Sequence, residues 1–185
     1  MLTRRTLLAT GTASLFAPSV ARAAFALDPI YVPQTVGITK TYGAGQILVL
    51  PKAHFLYLIT EPGRARRYGV GVGRAGLEFT GTAKVGAKRK WPDWRPTDEM
   101  IQREPKTYKR FVDNTYRQPG GRNNPLGARA LYLYQNGRDT MFRIHGTTQP
   151  RSIGRSVSNG CIRMINAHVE DLYERVPIGT IVTVL

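Results

Sequence analysis

Two residues in this chain could do covalent chemistry together. Cys161 is its only cysteine, and His145 is one of three histidines. A thiol becomes a strong nucleophile when a base removes its proton, and an imidazole within hydrogen-bond reach is the usual base. Both lie in the stretch Ile144 to Met164, IHGTTQPRSIGRSVSNGCIRM, and each has a glycine neighbour: Gly146 after the histidine, Gly160 before the cysteine. Glycine lets the backbone turn sharply enough for amides to point at a reacting carbonyl. The pattern reads as a Cys/His acyl-transfer site. A lone cysteine is in general more often a small buried hydrophobe. Here Ser158, Asn159, Gly160 and Arg163 make a polar, turn-prone setting that suits an exposed thiol. One cysteine and three scattered histidines lack ligand spacing, so no metal and no cofactor is expected.

At these residues the chain resembles a known family. HGT, a loop and then SNGCIRM is similar to the signature of the L,D-transpeptidase catalytic domain, also called YkuD: a histidine, a spacer, Ser/Thr-x-Gly-Cys and an arginine soon after. The segments RRYGVGVGRAGLEFTG, KWPDWRPTDEMI and NPLGARALYLY extend the resemblance over Gln46 to Leu185. Two features depart from the pattern. Many members carry a second histidine where this chain has Asn159, and the spacer between His145 and Ser158 is short. The resemblance implies a mainly β fold, a mixed β-sandwich with two or three short helices and a long loop over the active-site cleft. It also implies a thioester mechanism on peptidoglycan stem peptides, with β-lactams of the carbapenem type as inhibitors.

On that reading His145 is the base for Cys161, or the two rest as a thiolate–imidazolium pair. The carbonyl of Gly146 orients the imidazole. The amides of Asn159, Gly160 and Cys161 donate to the oxyanion. Arg163 shares a face with Cys161 if the segment is extended, and either binds a substrate carboxylate or pins the loop through backbone carbonyls. Ser158 donates to the loop or to substrate, the loop being favoured. Lys84 to Arg95 is rich in cations and holds Trp91 and Trp94; Trp91 is the candidate substrate contact, weighed against a plain anchoring role for the loop.

The elements that must position this site are mostly strands. Ile47–Leu50 and His54–Thr60 are β-rich runs flanking a turn at Pro51–Ala53. Tyr68–Gly73 (YGVGVG) alternates glycine with larger residues, which suggests a strand closely approached by another backbone. Ala130–Tyr134 and Thr140–Ile144 form a hairpin about Asn136-Gly137, and the second strand delivers His145 at its end. Thr97 is placed to cap a short helix over Asp98–Glu104, with Pro105 ending it. Asn166 is placed to cap a second, whose Val169, Leu172, Tyr173 and Val176 fall at helical spacing. Thr107–Arg122 is the expected flap over the cleft. Of the other histidines, His54 is expected to pack in the sheet and His168 to be a solvated surface residue.

The first 23 residues read as an export signal: Arg4-Arg5, an apolar run from Leu7 to Val20, and Ala21-Arg22-Ala23 as a small-x-small cleavage site. Thr3-Arg4-Arg5-Thr6-Leu7-Leu8 also resembles a twin-arginine signal. The expected location is the periplasm, with residues 24–45 as an N-terminal arm or linker and 46–185 as one catalytic domain that acts as a monomer. The chain holds 27 Lys+Arg against 12 Asp+Glu, a surface that favours polyanions. Export argues against nucleic acid and for the carboxylates of peptidoglycan, especially those on D-glutamate and diaminopimelate. Rival readings change the acceptor, making the protein an L,D-carboxypeptidase or an enzyme that anchors an envelope protein to peptidoglycan. From other classes come a non-catalytic basic module holding an envelope polymer and a generic cysteine peptidase.

Overall fold

The computed structural model describes residues 25–185; the expected signal segment lies outside them. In chain order the strands are β1 (Gln34–Gly37), β2 (Ile47–Leu50), β3 (Phe55–Glu61), β4 (Arg64–Gly69), β5 (Val72–Gly73), β6 (Gly81–Lys90), β7 (Arg129–Gln135), β8 (Arg138–His145), β9 (Ser156–Ser158), β10 (Ile162–Arg163) and β11 (Ile181–Val184). Among the described residues there are also two α-helices, α1 (Asp98–Arg103) and α2 (Asn166–Arg175), and four short 3-10 turns. Nine strands form one mixed sheet in the order β1-β4-β3-β2-β11-β6-β7-β8-β10, and β5 pairs with β9 in a two-stranded sheet. The last strand joins the two halves of the large sheet: β11 runs parallel to β2 and antiparallel to β6. One core serves both halves. Val49, Leu56 and Tyr68 from one side meet Leu131, Ile144 and Met164 from the other, with Val169 and Leu172 of α2, and all are fully buried. Truncating any of the leucines to alanine would destabilise by about 2–5 kcal/mol.

The hairpin before the site follows from its turn residues. Asn136 and Gly137 both have positive φ, 51° and 75°, the geometry that suits the twist of a two-residue hairpin. The glycine-rich stretch is approached by other backbone, as its composition predicts. A Cβ at Gly71 would lie 2.4 Å from the Ser152 carbonyl oxygen, and one at Gly73 would lie 3.0 Å from the Gly160 Cα. That second contact seats β5 directly against the turn before the cysteine. The expected arm also contributes to the sheet, since β1 pairs antiparallel with β4 at its edge.

Helix α1 is capped by Thr97, whose hydroxyl accepts from the Met100 amide at 3.3 Å. Helix α2 differs from expectation at its start. Its N-cap is Ile165, and Asn166 is instead the first helical residue; its Oδ1 accepts from the Ala128 amide at 3.1 Å. The far end is capped across the sheet: Lys88 Nζ donates to the carbonyls of Tyr173 and Val176 at 2.5 and 2.6 Å, a cation placed where the helix dipole favours it. His54 lies outside the strand, in a left-handed turn (φ 59°) before β3, with Nε2 3.1 Å from the Ser156 hydroxyl. His168 is half-buried rather than solvated, because α2 turns it toward the sheet; its Nδ1 is buried without a partner among the described residues, and burial lowers its pKa.

Candidate active site

Strand β8 carries the histidine and β10 follows the cysteine, and the two strands pair in parallel with Ile162 opposite Ile144 and Arg163 opposite His145. Extending that register by one residue sets Cys161 beside Arg143. His145 is then two residues further along the neighbouring strand and on the same face, a diagonal of about 8 Å between Cα atoms from strand spacing and rise alone. Sixteen residues of loop are thus closed by two rungs of ladder. The sheet and backbone bonds around β8 are complete: Ala130 of β7 pairs with His145, the Met164 amide donates to the His145 carbonyl at 2.8 Å, and the Gly146 amide donates to the Arg129 carbonyl at 3.0 Å.

The imidazole of His145 is 4% exposed. Its Nδ1 lies 2.5 Å from the Gly146 carbonyl oxygen, so Nδ1 carries the proton of the neutral ring and Nε2 is left as the acceptor. Burial holds its pKa at about 4, against the opposing pull of the Gly146 and Leu126 carbonyls, with the Arg163 and Arg143 cations pushing the same way as burial. Gly146 is required by close packing. A Cβ there would fall 2.1 Å from Asn166 Oδ1, the atom that ties α2 to Ala128.

Cys161 is a free thiol, half-buried on the floor of a cleft of about 770 Å³. Its Sγ has the Met141 carbonyl as hydrogen-bond partner, at 3.9 Å. Although part of the residue is exposed, the sulfur's surroundings are dense, and burial pushes the thiol up; the Arg143 amide and the Arg143 and Arg163 guanidiniums oppose this without reversing it. At neutral pH the pair is therefore a thiol and a neutral imidazole rather than an ion pair. Beside it Arg143 is held bidentately by Asp139 at 2.7 and 2.8 Å and lies over the Tyr132 ring, 4.2 Å from its centroid.

The turn before Cys161 is knitted by Ser158, which is 1% exposed. Its hydroxyl donates to the Cys161 carbonyl at 2.6 Å and accepts from the Gly160 amide at 3.1 Å. Ser158 thus serves the loop. The Gly160 amide, expected among the oxyanion donors, is occupied by that bond, whereas the amides of Asn159 and Cys161 have no backbone acceptor among the described residues. Gly160 has φ 117°, and a Cβ would sit 2.5 Å from both the Leu77 carbonyl oxygen and a Phe142 ring carbon; no side chain fits.

The substrate-side expectations are met unevenly. Arg163 is half-buried, with Nη1 on Gln149 Oε1 at 3.0 Å and its backbone paired to Gly71. No carboxylate forms an ion pair with it among the described residues. Trp91 does not line the cleft. It follows β6 with φ 46° and is 44% exposed; Trp94, three residues on, lines the cleft instead. The wall is formed by residues 93–103 rather than by the expected flap, of which Arg117 alone reaches the cavity. The flap's aromatic residues pack behind that wall, with Phe111 5.3 Å from Trp94 and 5.6 Å from Tyr116 between ring centroids. Asn159 makes contacts that its position in the motif does not suggest. Its Oδ1 accepts from Arg74 and Arg103 at 2.6 and 3.0 Å, and its Nδ2 donates to the Tyr108 hydroxyl at 3.2 Å.

A mainly β mixed sheet with a histidine at the end of one strand and a cysteine just before its neighbour defines the class, and comparison with known proteins gives it its family. The model of the YkuD L,D-transpeptidase catalytic domain matches residues 44–184, and the chain belongs to that family. It is 30% identical over 159 residues to the probable L,D-transpeptidase ErfK/SrfK of Escherichia coli, a match covering 83% of this chain and 48% of that protein. The chain spans about half the length of the curated relatives it matches. A solved structure from Brucella melitensis, described as a probable carnitine operon oxidoreductase caia, is 54% identical with a TM-score of 0.58, covering 83% of this chain and 93% of that one. L,D-transpeptidase 3 of Mycobacterium tuberculosis, solved with a faropenem-derived adduct, shares the fold at 17% identity and a TM-score of 0.53, covering 75% of this chain and 58% of that one.

Proposed function

We propose that this protein is a periplasmic L,D-transpeptidase that uses Cys161 as nucleophile and His145 as base on peptidoglycan stem peptides. The observation that carries the reading is the β8–β10 register, which sets Cys161 and His145 on one face of the sheet, with Cys161 lining an open cleft and the imidazole buried beside it. Nε2 of His145 takes the thiol proton. The thiolate attacks the carbonyl between the third residue of a tetrapeptide stem and its terminal D-alanine. The oxyanion is met by the amides of Asn159 and Cys161. The C–N bond breaks, the imidazolium returns its proton to the departing amine, and a thioester remains. The amine of a second stem then attacks, gives its proton to His145 and leaves an L,D crosslink with the thiol restored. Loss of one oxyanion donor in such a site lowers the rate about 10²–10³-fold. With its pKa held at about 4, the imidazole keeps Nε2 unprotonated and available as an acceptor across the physiological range.

On this reading Arg163, which forms no ion pair among the described residues, receives a carboxylate of the donor beside the nucleophile. The β-lactam adduct on a fold relative supports the expectation that carbapenems acylate Cys161. The experiment is incubation with purified tetrapeptide muropeptide and mass analysis of the products. Release of D-alanine with formation of crosslinked dimers is expected. Shortened monomers alone would make the protein an L,D-carboxypeptidase, and unchanged tetrapeptide would refute the reading.

A further inference from the structure

Two arginines from distant segments meet beside the cleft on the side chain of Asn159. Arg74 follows β5, and its amide donates to the Ser158 carbonyl at 3.0 Å, which fixes it to the turn that bears the nucleophile. Arg103 is the last residue of α1, in the wall of the cleft. Their guanidiniums come from segments far apart in sequence, yet both donate through Nη2 to one neutral oxygen, Asn159 Oδ1, at 2.6 and 3.0 Å. Arg74 also pairs with Glu104 at 3.1 Å. Arg103 has Asn159 as its side-chain acceptor and forms no ion pair among the described residues. Arg163 is near enough for Arg74 to repel it. Two guanidiniums thus meet on one neutral oxygen two residues before Cys161, with Glu104 paired to Arg74 and Glu99 within reach of the Arg103 charge.

We propose that Arg74 and Arg103, converging on the Asn159 side chain at the cleft rim, form a subsite that binds a free carboxylate of the acyl donor. The proposal rests on the reading of the cleft as an acyl-transfer site. An amide oxygen is a weak occupant for two guanidiniums. A carboxylate accepts charge-assisted bonds roughly twice as strong, and displacing Oδ1 leaves Asn159 free to turn its amide nitrogen to the same ligand. Donor stems supply such groups on D-glutamate and diaminopimelate, outside the scissile bond. Because Arg103 stands on α1, an occupied subsite ties the cleft wall to the turn carrying the nucleophile. A substrate without that carboxylate leaves the weaker Asn159 bridge in its place.

The test compares a tetrapeptide donor bearing free carboxylates with the same peptide amidated at those positions. Binding is measured by calorimetry on the C161A protein, and D-alanine release on the protein with its thiol. Wild-type residues at the rim should bind the free acid more tightly than the amide. R74A and R103A should each weaken the acid form about ten- to hundredfold, the worth of a hydrogen bond to a charged group, and leave the amidated form unchanged. The loss should appear in KM more than in kcat, and R103K should recover part of it. Equal losses for both peptides would reduce the cluster to a structural clamp and overturn the proposal, as would equal wild-type affinity for both or binding of neither. Discriminating binding without D-alanine release would sustain the subsite and refute the acyl-transfer reading.

Discussion

Acidification should weaken this protein in a way that is traceable to His145. In the unfolded chain its imidazole titrates near 6.5; in the native state burial holds it at about 4. Between those values the unfolded chain binds a proton that the native state refuses. The stabilisation is therefore fully present above pH 6.5 and is lost as pH falls to about 4. The gap is worth about 3 kcal/mol at 1.36 kcal/mol for each tenfold in proton affinity, a large share of a typical domain's stability. His54 and His168 are also lowered by burial and act in the same sense, so the contribution is isolated by difference. His145→Asn keeps a donor for the Gly146 carbonyl and removes the titration. Urea unfolding of both proteins at several pH values between 7.5 and 4 should show the variant gaining about 3 kcal/mol relative to wild type across that range. A difference that does not change with pH would refute the reasoning, because it would mean that the native imidazole protonates as readily as the unfolded one.

Three further outcomes follow from the same site. Alkylation of Cys161 by iodoacetamide should keep accelerating as pH is raised past 9 and show no plateau between 6 and 8, since burial pushes the thiol up; a neutral plateau would indicate a resting ion pair. Gly160→Ala should destabilise by about 2–4 kcal/mol through clash and backbone strain and abolish acylation, read by thermal unfolding and mass spectrometry. Ser158→Ala leaves the Cys161 carbonyl and Gly160 amide without their buried partner, which should destabilise by about 1–3 kcal/mol for each group left unpaired and slow acylation more than Gly160-independent surface changes such as Lys52→Ala.

The candidate pair could be picked out because its pattern is local: a thiol after Ser-x-Gly and a histidine before glycine stand out by residue type. Turn chemistry was legible on the same ground, in Asn136-Gly137 and the Thr97 cap. What the sequence hid is what distant segments do to one another. Lys88 caps α2 from a strand 85 residues away, and that cap is invisible to any local pattern. Asn166 has the right type for an N-cap, but the close approach of Gly127 and Gly146 recruits its oxygen for Ala128. Trp91 and Trp94 are equivalent by composition, yet Trp94, paired through its backbone with Gln118, lines the cleft while Trp91 sits exposed in a left-handed conformation. The neutral resting state of Cys161 and His145 is likewise a consequence of burial, which residue types alone do not report. Arg74 and Arg103 read as ordinary surface cations until the fold sets both on one oxygen.

The central claim is that the sulfur of Cys161 is the atom that forms the covalent bond to substrate. Its most direct test is mass spectrometry of the folded protein after incubation with a carbapenem, with peptide mapping of the adduct. The account predicts a single acyl adduct on Cys161 in the wild type, much slower labelling in His145→Asn, and no adduct in Cys161→Ala, whose melting temperature stays within a few degrees of wild type. An unmodified Cys161 after prolonged incubation of folded protein, or an adduct on another residue, would contradict it.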